Sequence, residues 1–339
     1  MPVTIKDVAL RAGVSISTVS KVINNGSNIS DATKEKVRSI MKELNYYPNI
    51  IAKSFAQRNS YNIGVLMDLK RSDAFINSHL YEILGGIEEV AQQNGYFLTL
   101  SNMSSVIKND TLDKIVMQKG VDGLIIQVNN LTKSTCQRLD DLSFPYIVIG
   151  QPKFESKVCW IDSNNKLAGE IAASHLIEEG YERIAFIGGP DKDDISKNRE
   201  AGYRNSLQEH SIKVNKSYIK EGETNTENGY ALMNELLDLP NPPDSLVCTN
   251  NFMAVGAMRA IKERGLKIPD DVAVIAFDNY PLSQFTEPPM SVVDIDVFEL
   301  GVHAANALMN KLRNPNLQVQ YSMLSPTLIV RESSKKAKI

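Results

Sequence analysis

Ser17, Lys21 and Asn24 fall, at ~100° per residue, opposite Val19, Val22 and Ile23 on a short helical stretch, with Ile16 and Ser20 on its flanks. A hydroxyl, an ammonium and an amide on one ridge suit hydrogen bonding to base edges, where an ammonium can donate to guanine O6 or N7. A second set of polar residues lies much further along. Gln127, Asn250 and Asp278 each close an apolar run rich in β-branched residues. In open α/β sheets ligands sit beyond the carboxyl ends of such runs, and amides and a carboxylate there can bind a hydroxyl-rich molecule. Taken singly, Asp278 is as well explained by a surface charge or a structural ion pair. Catalytic patterns are missing. Gly188-Gly189-Pro190 lacks the further glycines and the Lys-Ser/Thr of a phosphate loop, and no Gly-x-Ser-x-Gly elbow occurs. His79, His175, His210 and His303 form no ligand pair. The sequence therefore predicts no catalytic residue, no metal and no cofactor.

These residues need elements to hold them. In TIKDVALRAGVSISTVSKVIN, residues 4 to 24, Ile5, Val8 and Ala9 make one apolar helical face. Gly13 can take the left-handed turn that follows, and Ser15 is a natural N-cap for the next helix. Two short helices with a polar, basic outer face on the second describe a helix-turn-helix, whose second helix enters the major groove. An ordinary α-hairpin would show the same periodicity. A third helix begins near Ser30, with Val37, Ile40, Met41 and Leu44 as its stripe, and Pro48 ends the segment. Residues 49–58 are weakly amphipathic and too short to be a stable isolated helix. From residue 62 onward the runs IGVLM, YFLTL, GLIIQV, YIVIG, RIAFIGG, SLVCTN and VAVIAFDN alternate with helical segments. Near-continuous apolar strands between helices mean parallel sheets covered on both faces, and the length suggests two lobes.

Charge is segregated. Residues 1–60 carry nine Lys/Arg against four acids, a net of +5, so with −3 for the whole chain the remainder carries −8. A basic head on an acidic body fits nucleic-acid binding confined to the head. Cys136, Cys159 and Cys248 are scattered, as in a reducing compartment. The start MPVTIKDV has no apolar core and no run of ~18 apolar residues occurs, so a cytoplasmic protein without a membrane span is expected. The tail SSKKAKI reads as a frayed basic end.

TIKDVALRAGVSISTVSKVINN, followed by ATKEKVRSIMKELNYYPNIIAKSF, resembles the amino-terminal domain of the lactose/galactose-repressor family of transcriptional regulators, without a gap through about the first sixty residues. The resemblance implies an all-α helix-turn-helix head (1–47), a hinge helix and linker (48–60) and an α/β sensor (61–339). The sensor would be two doubly wound parallel-sheet lobes, like periplasmic binding proteins: lobe one about 61–160 and 291–324, lobe two about 162–290 and 325–332. Crossings would fall near Ile161, Met290 and Ser325. It implies base reading by Ile16, Ser17 and Lys21, and phosphate contacts by Thr4, Ser15, Thr18, Ser20, Asn24, Tyr46 and Asn49. The hinge would enter the minor groove through Ala52 and Phe55, with Phe55 where the family usually has Leu; Phe is itself a wedge residue.

Arg199, early in the helix after RIAFIGG, resembles the family's ligand-binding Arg, and Asp278 in FDNY matches its F/Y-D-D/N motif. With Arg199 as forked donor and Asp278 as acceptor, Gln127 and Asn250 complete an effector site. NSHLYEIL departs from the family's Asn-Pro-aromatic start, placing His79 where a ring often lines the pocket. Asn251 stands where Asp is usual, and the stretch around Thr224 has no large aromatic. Fewer stacking surfaces favour a sugar or sugar phosphate over a flat purine. The expected molecule is a homodimeric repressor of carbohydrate-use genes, binding a pseudo-palindromic double-stranded DNA operator under control of a small effector. The alternatives are a nucleobase effector, a protein corepressor, a solute-binding protein or a sugar-processing enzyme.

Overall fold

A computed structural model describes residues 3–24, 26, 28–47, 59–68, 78–102, 106, 112–317 and 321–336. The chain divides into two compact units, a small one of Met1–Asn62 with Asp113–Asp122 and a large α/β one of Ile63–Leu112 with Gly123–Ile339.

The first unit holds α1 (Ile5–Ala12), α2 (Ile16–Ile23) and α3 (Asp31–Glu43). Thr4 caps α1 reciprocally with Asp7: its N–H and its hydroxyl both donate to Asp7 Oδ2, at 2.8 and 2.7 Å. Those bonds hold the Asp7 carboxyl below its ordinary value. Gly13 ends α1 at φ 65°, a left-handed cap that suits a residue without Cβ. Ser15 and Ser30 then cap α2 and α3, accepting from Thr18 N and Thr33 N. Val8, Ala9, Ala12, Val19, Val22 and Val37 form the buried core, with Ile40, Met41 and Leu44 packed at its edge, as the periodicity predicts.

The large unit is built on two six-stranded sheets. The first has the order β11-β5-β4-β3-β1-β2 and the second β12-β10-β9-β8-β6-β7. Their strands are β1 (Asn62–Met67), β2 (Phe97–Asn102), β3 (Gly123–Gln127), β4 (Tyr146–Ile149), β5 (Trp160–Ser163), β6 (Ile184–Gly188), β7 (Ile219–Glu221), β8 (Ser245–Cys248), β9 (Ala273–Phe277), β10 (Ser291–Asp294), β11 (Ser322–Leu324) and β12 (Thr327–Ile329). Between them run α4 (Ser78–Gln93), α5 (Leu112–Met117), α6 (Lys133–Asp141), α7 (Asn165–Glu178), α8 (Asp194–Glu209), α9 (Thr226–Leu237), α10 (Asn251–Glu263), α11 (Pro281–Gln284) and α12 (Val297–Arg313). Pairing is parallel from β11 through β5, β4 and β3 to β1 and from β10 through β9, β8 and β6 to β7, and antiparallel between β10 and β12. These are the parallel sheets expected from the alternation of apolar runs and helices, arranged as the two doubly wound lobes that the resemblance implies.

The chain passes between sheets three times: after β5, after β10, and between β11 and β12. The first and third passages lie near Ile161 and Ser325, as expected. The second lies beyond Met290. Val292 and Val293 pair with Ala276 and Phe277 of β9, so β10 completes the second sheet and the chain leaves it only at Ile295–Asp296.

Close helix packing fixes α8 against α7. A Cβ on Gly169 would collide with the Arg199 carbonyl, and one on Gly202 with the Lys166 carbonyl. The tail is a correction to the sequence reading. Ser333 and Ser334 are fully buried. Ser333 Oγ donates to Val274 O at 2.5 Å, and Ser334 Oγ lies 2.7 Å from His175 Nε2. Lys336 Nζ sits 4.8 Å above the Tyr181 ring. Basic composition suggested fraying, but the two serines find buried partners that composition cannot reveal. All three cysteines are buried, and none is in a disulfide. Among the described residues no helix is long and apolar enough to cross a membrane.

Candidate DNA-reading face and effector cleft

On α2 the core takes Val19 and Val22, which leaves Ile16, Ser17 and Lys21 exposed together on the opposite side. Ile16 keeps 44% of its surface exposed, unusual for an isoleucine on a folded head. Ser15 Oγ lies 2.7 Å from Ser17 Oγ and 2.9 Å from Thr18 Oγ1, so three hydroxyls share one hydrogen-bond network at the helix start. A helix N-terminus with free donors is a ready anion site, and here it abuts the Lys21 face. Thr18 and Ser20 are half-buried, while Asn24 is exposed and donates to Ser20 O at 2.9 Å. Thr4 is exposed and engaged with Asp7. Tyr46 is half-buried at the core edge, and burial raises its phenol. Asn49, Ala52 and Phe55 lie outside the described residues.

The second site forms where strands of the second sheet end. Arg199, on the first turns of α8, is 4% exposed. Its Nε donates to Asn165 Oδ1 at 3.0 Å and its Nη1 to the Thr249 carbonyl at 2.6 Å. Its Nη2 lies 3.4 Å from Asp278 Oδ1, and its Cζ sits 4.2 Å over the Phe277 ring. Arg199 and Asp278 are thus an ion pair. Asp278 follows β9 with φ 70°, a left-handed conformation that costs a non-glycine residue energy unless neighbours impose it. Asn251 supplies the constraint. It is buried, and its Nδ2 donates to both Phe277 O (2.5 Å) and Asp278 O (2.9 Å). Its Oδ1 is buried without a partner.

His79, on α4 of the first lobe, meets this site through Tyr280, whose hydroxyl is 3.2 Å from His79 Nδ1. Burial holds the His79 imidazole below its ordinary value, with Asp278 opposing and Arg199 adding to the shift. Gln127 uses its Oε1 to accept from Asp68 N at 3.1 Å. Asn250 caps α10, its Oδ1 accepting from Met253 N at 2.9 Å, so its amide hydrogens rather than its oxygen are left for a ligand. The structure therefore joins Arg199, Asp278 and His79 in one polar set, with Gln127 and Asn250 committed in part to local backbone. Sequence reasoning missed Tyr280, Asn165, Thr249 and Asp162. Asp162 lies within β5, one residue before its end, and its carboxyl is raised by burial against the pull of backbone bonds from Gln151 and Ser163 and of Arg199. Its strand is four residues of mixed polarity, too short to read. Tyr280 stood next to the matched FDN triplet and could have been flagged by adjacency.

Residues 4–49 match the family of bacterial regulatory proteins, lacI family, and residues 173–334 match the periplasmic binding protein-like domain. The HTH-type transcriptional repressor PurR of Histophilus somni (strain 129Pt) is 34% identical over 338 residues, spanning 98% of this chain and 99% of that protein. The ribose operon repressor of Haemophilus influenzae (strain ATCC 51907 / DSM 11121 / KW20 / Rd) is 33% identical over 331 residues, spanning 97% and 98%. Among solved structures, the lac repressor dimer bound to operator and the anti-inducer ONPF is 27% identical with a TM-score of 0.81, covering 99% of this chain and 100% of that one.

Proposed function

The chain belongs to the lacI family of bacterial regulatory proteins, and from that premise we propose that it represses carbohydrate-use genes under control of a sugar or sugar phosphate bound between its lobes. It is a DNA-binding transcriptional regulator with a ligand-binding body; its relatives are repressors rather than enzymes. Ile16, Ser17 and Lys21 read bases, and Thr4, Ser15, Thr18, Ser20, Asn24, Tyr46 and Asn49 hold phosphates. Ala52 and Phe55 enter the minor groove of a pseudo-palindromic operator bound by a homodimer in the cytoplasm. Effector binding and operator binding are linked reciprocally.

The observation that carries the effector reading is the buried Arg199–Asp278 pair at the strand ends, with His79 reaching it from the other lobe. A forked donor beside a two-oxygen acceptor fits vicinal hydroxyls. The name of the ribose operon repressor supports a sugar. The test is a thermal-shift screen with D-ribose, D-glucose, cellobiose, ribose 5-phosphate, glucose 6-phosphate and hypoxanthine, since a ligand that binds only the native state raises the midpoint. Arg199→Ala and Asp278→Ala are expected to lose about 2–5 kcal/mol of affinity for the responding compound while keeping operator affinity. Losses under about threefold by calorimetry would remove both residues from the site.

A further inference from the structure

Tyr280 matches no motif, yet it bonds from one lobe to the other at the cleft, where the Lys153–Asp194 ion pair also crosses at 2.6 Å. Its phenol oxygen, on the loop after β9, lies 3.2 Å from Nδ1 of His79 on α4. We propose that Tyr280 is a positioning residue of the effector cleft: by donating to Nδ1 it holds His79 as the Nε2–H tautomer, so that the first lobe offers a neutral N–H donor to a hydroxyl or carbonyl oxygen of the ligand. The proposal rests on the reading of this cleft as the effector site.

The direction of the bond follows from counting hydrogens. A phenol has one, and among the described residues the only group hydrogen-bonded to this one is His79. If Nδ1 carried the proton, it would donate to the phenol oxygen and leave the phenol hydrogen without a protein acceptor among the described residues. The charge states agree. Burial and the Asp278 carboxylate push the Tyr280 phenol up, with Glu82 and Asp294 acting the same way and Arg199 against, so the phenol keeps its hydrogen. His79 is held below its ordinary value, so at pH 7 one ring nitrogen is bare. In free neutral imidazole either nitrogen can hold the hydrogen; here the phenol selects.

The bond has a second property. It spans the lobes, because His79 lies on the first and Tyr280 on the second. A hydrogen bond weakens steeply beyond about 3.5 Å, so separating the lobes by an ångström or two removes the selection. His79 then presents its Nε2 donor only while the lobes are together. Ligand capture and lobe approach are thereby coupled through a single tautomer.

The experiment is a ¹⁵N–¹H long-range correlation spectrum of the full chain labelled at histidine, without ligand, at pH 7.5. Only four histidines are present, and His79→Gln identifies the signal by its loss. Wild type should show His79 with a bare Nδ1 and a protonated Nε2. Tyr280→Phe, which keeps the ring and removes the hydroxyl, should move both nitrogens toward the averaged values of a tautomer mixture with an unchanged melting midpoint. It should also weaken the compound that responds in the wild-type thermal-shift screen about tenfold. A protonated Nδ1 in wild type, an unaltered tautomer in Tyr280→Phe, or an altered tautomer with unaltered affinity would each overturn the proposal. The tautomer is read without ligand, so a cleft that takes no compound would remove the effector reading by itself, whatever the spectra show.

Discussion

At the scale of residues, the position with most at stake is Asn251. Its one amide satisfies two successive carbonyls that converge because Asp278 is left-handed. A carboxylate there would set oxygen against oxygen. Asn251→Asp should therefore free Asp278 from φ 70° and destabilise the body by about 1–3 kcal/mol, the range for leaving buried polar groups unpaired. Urea titration measures the loss, and a crystal structure of the variant reports φ; a left-handed Asp278 in that variant would refute the clamp. The sequence exposed Asn251 as a departure from the resembling family's Asp, and it exposed Arg199 and Asp278 as candidate site residues. It could not expose why the three go together. Their pairing depends on a backbone angle and on the 3.4 Å approach of residues 79 positions apart, neither of which leaves a local pattern.

At the scale of elements, α8 is held at backbone contact with α7 through Gly169 and Gly202, and Arg199 lies three residues before Gly202. Gly202→Ala forces the helices apart, and overpacking of this kind costs about 1–3 kcal/mol. Because the displaced helix carries Arg199, effector affinity should fall along with stability. A variant with the stability loss but wild-type affinity in calorimetry would show that Arg199 is placed by its own hydrogen bonds alone. Legibility also differs by element. All seven strand runs read from the sequence form strands, although two of them, β4 and β8, span only four residues. Those missed, β5, β7, β10, β11 and β12, span three or four residues, and each includes a polar or charged residue. Length alone does not separate the two groups; the missed strands draw their stability from neighbours already in the sheet, so their own residues carry little signal. The second lobe crossing shifted for this reason: in SVVD the two apolar residues are bounded by Ser291 and Asp294.

At the scale of the whole molecule, two histidines, His175 buried and His79 half-buried, set its response to acid. His79 and His175 are both held below the ordinary imidazole value of about 6.5 by burial. His175 is bonded to Ser334, with Glu179 and Glu178 opposing the shift. The unfolded chain therefore takes up protons at these sites before the folded one. Stability should be level above about pH 6.5 and fall as pH drops from there toward the folded values, by up to about 1.4 kcal/mol per pH unit per histidine. Asp162 and Asp294 act in the opposite sense and lower down, because burial raises them and the folded state protonates first. Urea unfolding by circular dichroism from pH 8 to 5.5 tests this, with His175→Gln expected to flatten the slope. A level profile to pH 5.5 in wild type would contradict it.

The three passages between sheets also govern how the protein is made. The head's core is complete by residue 46, but the first sheet awaits β11 at residues 322–324 and the second awaits β12 at residues 327–329. At about 5–20 residues per second, the interval between head and finished sensor is on the order of 15–60 s. Throughout it, a nascent chain can carry a formed DNA-reading helix that no effector can address. Synthesis that stalls before residue 327, or a protease that cuts there, would make that transient species permanent.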